Sequence, residues 1–340
     1  MNQTECIRAA KGGIVTIKKA TELIAMTSGR TLILCHKRPD GDTLGSALAL
    51  KAVIEYLGRE ADIACCDSIP SNCGFLFEGR ELPVREPDLS LYEALIAVDV
   101  ASGQMLGELE GLKDRILLKI DHHRIGEDYA VYNYTDPDAA ACGEIIYEIA
   151  KLMGVPDSVT AEPVYAALSS DSGGFRYSNT TCKTMRIAKC AMAAGADFVN
   201  INHKLFESRT PVEVRAIKTA YDKLRLYCEG KLALVMITNA DKEANQLCDS
   251  ELGVINSLPR EIAGVEIGIT VKQDSERPER YKVSMRSSEP ADVSAICAEF
   301  GGGGHLRAAG CELFAPNPEE AEKKILSAVS KHEKNFVNLQ

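Results

Sequence analysis

Four short, continuously apolar stretches, "TLILC" (31–35), "ADIACC" (61–66), "ALIAVDV" (94–100) and "RILLKID" (115–121), punctuate the first 121 residues. Bounded by turn-forming residues, they read as strands, and they lack the polar alternation of a sheet with one face in water. Strands buried on both faces belong to parallel sheets, which need helical crossovers. The sequence supplies them. "TLGSALALKAVIEYLG" (43–58) carries Leu44, Ala47, Leu48, Val53, Ile54 and Leu57 at helical spacing, and "ACGEIIYEIAKLMG" and "AEPVYAALSS" continue the rhythm. The expected fold class is α/β, with an N-terminal parallel-sheet domain.

The rhythm changes after "TTCKTMRIAKCAMAAGADF" and the polar "NHKLFESRTPVE". "KLALVMIT", "VEIGITVKQD", "RYKVSMRSS" and "RAAGCELF" read as strands, and "CDSELGVINSLPREI", "DVSAICAEF" and "PEEAEKKILSAVSKHEKNF" as helices. They predict a second, smaller α/β unit with a mixed sheet. The expected division is a first domain over 1–195, a linker over 196–210 and a second domain over 211–340.

The formal net charge is −10. Nonspecific affinity for nucleic acid comes from clustered cations that release counterions, so a surface this acidic repels long polyanions. Long-duplex DNA is therefore excluded as a partner, and an anionic substrate has to be short and locally held. No apolar run approaches the roughly 20 residues needed to span a bilayer, which excludes a membrane role and makes the cytoplasm the default location. The twelve cysteines form no Cys-x-x-Cys pair and many sit in apolar segments. That pattern fits buried thiols in a reducing compartment better than disulfides or structural zinc.

Ligands of open α/β sheets bind beyond the C-terminal ends of the strands, and there the chain collects imidazoles and carboxylates. His36, Asp40 and Asp42 follow "TLILC"; Asp99 follows "ALIAV"; Asp121, His122 and His123 follow "RILLKI"; Asp171 follows "VYAALSS". Each has an ordinary explanation. "RPDGD" suits a tight turn in which Asp42 or Thr43 caps the next helix, and Asp99 or Asp171 alone suits a turn or cap. A double histidine suits a polar loop as well as a site, and in an extended segment its two rings face opposite ways and cannot act alike. Coincidence would have to bring four segments, with three of only six histidines, to one edge. A shared site accounts for this better.

Carboxylates and imidazoles without thiolate favour manganese or a similar divalent first-row ion, although ligand type alone leaves the ion open. One carboxylate can bridge two ions about 3.5 to 4 Å apart, the clamp used for in-line phosphoryl displacement, and a bridging water then ionises near neutral pH.

Five ordered motifs, "HKRPDGDTLGS", "AVDV", "DHHR", "SSDSGGFRYSNTT" and "GGGGHLRAAG", resemble those of the DHH phosphoesterase superfamily with its DHH-associated C-terminal domain. Within it the chain is similar to the nanoRNase and pAp-phosphatase branch. The resemblance implies one metal on His36, Asp40 and Asp99 and a second on Asp42, Asp99, His122 and Asp171, with Asp99 bridging. It implies that His123 faces the scissile phosphate and that Asp121 orients the histidines. It implies also that Arg286 and His305, with amides around Gly303 and Gly304, hold the nucleotide in a cleft between the domains. Four glycines commonly make a linker, but this run joins an apolar helix to a strand, where glycine's backbone freedom can aim amides at an anion. Arg176 and Tyr177 suit either a second nucleotide or a satisfied surface pair.

The implied activity is that of a manganese-dependent phosphohydrolase. It releases 5′-mononucleotides from very short oligonucleotides and converts adenosine 3′,5′-bisphosphate (pAp) to AMP. Linear or cyclic dinucleotides (pApA, c-di-AMP) and pyrophosphate or polyphosphate are the alternative substrates, and a nucleotide-sensing protein is the non-enzymatic alternative. The sequence leaves the oligomeric state open, a homodimer being the common arrangement.

Overall fold

A computed structural model describes residues 12–288, 291–333 and 336. The chain divides between Ser208 and Arg209 into two units. In the first, β1 (Gly13–Ile14), β2 (Thr31–Leu34), β3 (Ala61–Ala64), β4 (Ala94–Val98), β5 (Ile116–Asp121) and β6 (Tyr132–Thr135) form one sheet, parallel throughout, in the order β1-β6-β5-β4-β2-β3. From β2 the chain runs outward to β3, then returns to β4 on the other side of β2 and continues to β5. Such a reversal puts the expected ligand position beyond the C-terminal ends of β2 and β4.

Side chains alternate across this sheet as a period of two demands. Ile33, Ile63, Ile96, Val98, Leu118 and Ile120 pack with Leu44, Leu48, Ile145 and Leu168, while Leu32, Leu34, Leu95 and Ala97 pack with Leu106 and Leu109 on the opposite face. Because both faces are covered, β2, β3 and β4 are buried at every position; hence the uninterrupted apolar runs. The helices of the first core are α1 (Ile17–Met26), α2 (Gly41–Tyr56), α3 (Cys142–Leu152), α4 (Asp157–Asp171) and α5 (Cys182–Ala193). The strand β6, "YNYT", is too polar to stand out in the sequence; its buried Asn133 is satisfied by the amide and carbonyl of Ala130.

The stretch expected as a linker is structured in its first part. Phe198–Asn202 is helical (α6), His203–Glu207 is a π-helical turn, and Ile201 and Leu205 are buried in the first unit's core. Their four-residue spacing gives an otherwise polar segment one face to bury.

The second unit holds β7 (Leu224–Tyr227), β8 (Leu232–Ile237), β9 (Ile267–Gln273), β10 (Arg280–Ser287), β11 (Gly303–His305) and β12 (Ala308–Phe314), ordered β11-β12-β10-β9-β8-β7. Only β8 and β9 pair in parallel, so the sheet is mixed. Its helices are α7 (Pro211–Asp222), α8 (Asn239–Asn245), α9 (Val293–Ala298) and α10 (Pro318–His332). Residues 248–262, expected as one helix, form two 3-10 segments instead, Asp249–Ile255 and Leu258–Glu261. Pro259 lacks the donor that would carry a helix across the break. The glycine run is in part the strand β11. Gly304 has φ 144°, and a Cβ there would stand 2.5 Å from the Ala308 carbonyl oxygen. Glycine is needed for that approach of backbone to backbone.

Among the described residues no two cysteines form a disulfide, and no helix is long and apolar enough to cross a membrane.

Candidate metal centre

The β2 strand ends in a turn that leads into α2. Asp40 caps this helix, its Oδ1 accepting from the amides of Asp42 and Thr43 at 3.0 and 3.1 Å. The cap is therefore Asp40, not Asp42 or Thr43, which releases Asp42 for other work. The Asp42 carboxylate is fully buried and accepts from the amides of Cys142 and Gly143 at 2.6 and 3.0 Å and from the Ser46 hydroxyl at 2.9 Å. Those amides open α3, whose positive dipole end favours a carboxylate.

Asp99 follows β4 with φ 59°, a left-handed conformation that costs a non-glycine residue about 1 kcal/mol or more. Its buried oxygens divide between two sets of partners. Oδ2 lies 3.5 Å from His36 Nε2, which is also 3.7 Å from Asp40 Oδ1. Oδ1 lies 3.4 Å from His122 Nε2, which is in turn 3.6 Å from Asp42 Oδ2 and 3.3 Å from Asp171 Oδ2. Asp171 is the last residue of α4, a carboxylate placed against the negative end of a helix dipole. A bound cation relieves that conflict.

These separations are long for hydrogen bonds and match donor atoms that share a cation at about 2.1 Å. Asp99 Oδ1 and His122 Nε2 are moreover buried without a hydrogen-bond partner. His36 Nδ1 stands 2.8 Å from the Lys37 carbonyl and His122 Nδ1 stands 3.2 Å from that of Ala139. Each ring can therefore donate from Nδ1 to a carbonyl and present Nε2 to the carboxylates, the arrangement a metal-binding imidazole needs once Nε2 has lost its proton. The donors group as His36–Asp40–Asp99, Asp42–His122–Asp171 and Asp99–His122–His123. The residues present fit divalent metal.

His123 serves a different partner from His122. Its Nδ1 is 2.8 Å from Asp121 Oδ1 and 3.6 Å from Asp99 Oδ1. The buried Asp121 Oδ1 also accepts from the amides of His122 and His123 at 2.9 and 3.3 Å.

Protonation reflects the crowding. Burial, with the charges of Asp99 and Asp171, pushes the Asp42 carboxyl well above the usual range. Burial, with Asp40 and Asp99, raises Asp171 to about 6 against the pull of His122. Burial opposes charge on Asp99 as well, yet the His122 and His36 rings hold it below the usual range. Burial also works against charge on those rings, and the carboxylates around them outweigh it and raise both. The site attracts protons, which a divalent cation displaces on binding.

All six expected metal ligands come together. Arg176 lies in the same unit, its Nε 2.5 Å from the Gly173 carbonyl and its guanidinium 5.4 Å from the centre of the Phe206 ring. Arg286, Gly303, Gly304 and His305 belong to the second unit, where Arg286 on β10 and His305 on β11 both register with Ala308; the side chain of His305 lies outside the described residues. Sequence reasoning overlooks Lys119, buried in β5 with Nζ 3.6 Å from Asp121 Oδ2. A lysine inside an apolar run was the available signal.

The reversal point of this parallel sheet gathers imidazole and carboxylate donors into a candidate metal centre, and the matches to known proteins give it the class of a metal-dependent phosphoesterase. Residues 30–168 match the DHH family N-terminal domain and residues 233–334 match the DHHA1 domain. The chain belongs to the DHH family. The bifunctional oligoribonuclease and PAP phosphatase NrnA of Thermus thermophilus is 27% identical over 92% of this chain and 93% of its own length. The cyclic-di-AMP phosphodiesterase PdeA of Listeria monocytogenes is 24% identical over 92% of this chain and 49% of its own length. An exopolyphosphatase-related protein of Bacteroides fragilis shares the fold, with a TM-score of 0.84 and 21% identity over 94% of this chain and 97% of that one.

Proposed function

We propose that the chain releases 5′-mononucleotides from very short oligonucleotides and dephosphorylates pAp to AMP, with manganese as its metal. One observation carries the reading: the two oxygens of Asp99 face two separate donor sets, in a chain similar along 92% of its length to an oligoribonuclease and PAP phosphatase.

In this reading His36, Asp40 and Asp99 hold one ion, and Asp42, Asp99, His122 and Asp171 hold a second. When bound, such ions bring the pKa of water near neutrality and offset charge on the phosphoryl group. The remaining work falls to the chain's own residues. The α3 amides and Ser46 keep the Asp42 carboxylate from turning away. Asp121 accepts the Nδ1 proton of His123 and favours the imidazolium, whose Nε2–H would then stabilise the charge of the scissile phosphate or pass its proton to the leaving oxygen. Arg286 and His305, with the amides of Gly303 and Gly304, grip the nucleotide, and Arg176 meets a second base or phosphate. Dinucleotides are the second reading, supported by the similarity to PdeA.

The test is a product assay on manganese-supplied protein with pAp, RNAs of graded length, pApA, c-di-AMP and pyrophosphate. AMP and phosphate from pAp, and mononucleotides from the shortest RNAs, are expected. Binding of pAp and pApA without turnover makes the protein a sensor, and turnover of pyrophosphate alone overturns the nucleotide assignment.

A further inference from the structure

We propose that Lys119 is a positioning residue for His123, acting through Asp121. The proposal rests on the phosphoesterase reading, in which His123 meets the substrate. Lys119 stands in the middle of the sheet, in register with Ala97 of β4 and Asn133 of β6, and two residues before Asp121 on the same face. Leu95, Ala97, Val100 and Ala130 give that face an apolar layer, in which Lys119 lies beside the buried polar side chains of Asn133 and Asp121. Packing alone calls for an aliphatic side chain here. Lys119 is nevertheless only 1% exposed, and charge taken out of water has to be compensated.

Its compensation points at Asp121. Lys119 Nζ donates to the Glu127 carbonyl at 2.9 Å, lies 3.6 Å from Asp121 Oδ2 and 3.8 Å from Asp128 Oδ1, and stands 5.8 Å from the centre of the Tyr129 ring. The two Asp121 oxygens have separate surroundings. Oδ1 receives the amides of His122 and His123 and the Nδ1–H of His123. Oδ2 is buried with no hydrogen-bond partner, and the ammonium is the charge that faces it. Three N–H groups on one oxygen and a cation beside the other set the plane of the carboxylate. With the cation gone, Oδ2 is left bare in the interior, and the carboxylate gains by turning toward other donors. His123 then loses the acceptor that fixes both its tautomer and its ring orientation.

The experiment uses full-length Lys119→Met and Lys119→Gln proteins loaded with manganese, assayed on the best wild-type substrate. In both, kcat should fall about 10- to 100-fold, with KM within about two-fold and metal content unchanged. In a His123→Gln background the same changes should cost less than about two-fold, because the path they act through is already cut. A second readout needs no turnover: ¹⁵N-histidine NMR of the magnesium-loaded protein should show His123 protonated on Nδ1 in the wild type and a mixture of tautomers in Lys119→Met. Full kcat in Lys119→Met, an undiminished loss in the His123→Gln background, or an unchanged tautomer overturns the proposal. If neither variant folds, the wild-type spectrum decides. A His123 proton on Nδ1 supports the arrangement, and its absence overturns it. A wild type inert toward every phosphoester defeats the phosphoesterase reading, and the NMR comparison still judges Lys119.

Discussion

His122 Nε2 lies 3.4 Å from Asp99 Oδ1, and both atoms are buried without a hydrogen-bond partner. Folded proteins seldom leave two facing polar atoms unsatisfied, and a cation shared between them resolves both. The other oxygen of Asp99 stands by His36, so removing this one carboxylate weakens two donor sets at once. On the proposed two-ion reading, Asp99→Asn should lower manganese content from two ions per chain to one or none, and hydrolysis by at least about 100-fold. Elemental analysis after dialysis checks it; two tightly held ions in the variant would refute the bridging role.

Asp171 offers a test in the opposite direction. Burial and the charges of Asp40 and Asp99 raise its carboxyl to about 6, although His122 pulls it down. A carboxyl whose folded pKa exceeds its unfolded value near 3.8 prefers its proton when folded. Its ionised form therefore destabilises the metal-free protein, fully above about pH 6 and not at all below about pH 4. In the presence of EDTA at neutral pH, Asp171→Asn should be more stable than wild type by about 1 to 3 kcal/mol, the gap closing on acidification. Manganese should reverse the ranking, because only the wild type keeps the ligand. Calorimetry at several pH values decides; a less stable variant in EDTA at neutral pH would sink the charge-crowding account.

The donors were legible because they are polar residues at the ends of apolar runs, and because the topology of a parallel sheet says where those ends meet. What fixes them was less legible. Asp42 is seated by the amides of Cys142 and Gly143, a hundred residues away in sequence, and backbone donors leave no compositional trace. Strand β6 escaped notice because "YNYT" packs through Asn133 hydrogen bonds rather than aliphatic bulk. The glycine run was legible as special but not as a strand, since its shape comes from the close passage of β12. Ile201 and Leu205 show the same limit, as two apolar residues in a polar stretch declare a buried face only when a core lies beside them.

Helix packing should also set metal affinity. A Cβ at Gly45 would stand 2.5 Å from the Pro163 carbonyl oxygen and 3.0 Å from the Ala167 amide, both backbone atoms of α4. Neither can move aside as a side chain does. Because α2 carries Asp42 and α4 ends in Asp171, spreading these helices separates two members of one candidate donor set. Gly45→Ala should cost about 1 to 3 kcal/mol of stability and weaken manganese binding, measured by titration calorimetry. Unchanged affinity in a clearly destabilised variant would show that the site tolerates the displacement.

In the second unit, one carboxylate organises the turn between β9 and β10. Asp274 Oδ1 accepts from the amides of Glu276 and Arg277 at 3.0 and 2.9 Å, while Oδ2 meets Arg280 Nη2 at 2.6 Å and Lys282 Nζ at 3.2 Å. Burial opposes its charge, but the Arg277 amide and the Arg280 guanidinium outweigh burial and hold the carboxyl below the usual range. A depressed folded pKa gives stability that is present above the unfolded value near 3.8 and is lost as pH falls toward the folded one. Asp274→Asn should therefore destabilise the protein at neutral pH by about 2 to 3 kcal/mol, and the difference should shrink once wild-type Asp274 begins to protonate. Denaturant melts at neutral pH and near pH 3 compare the two states. A gap that stays constant across that range would assign the loss to the shape of the turn rather than to the charge of Asp274.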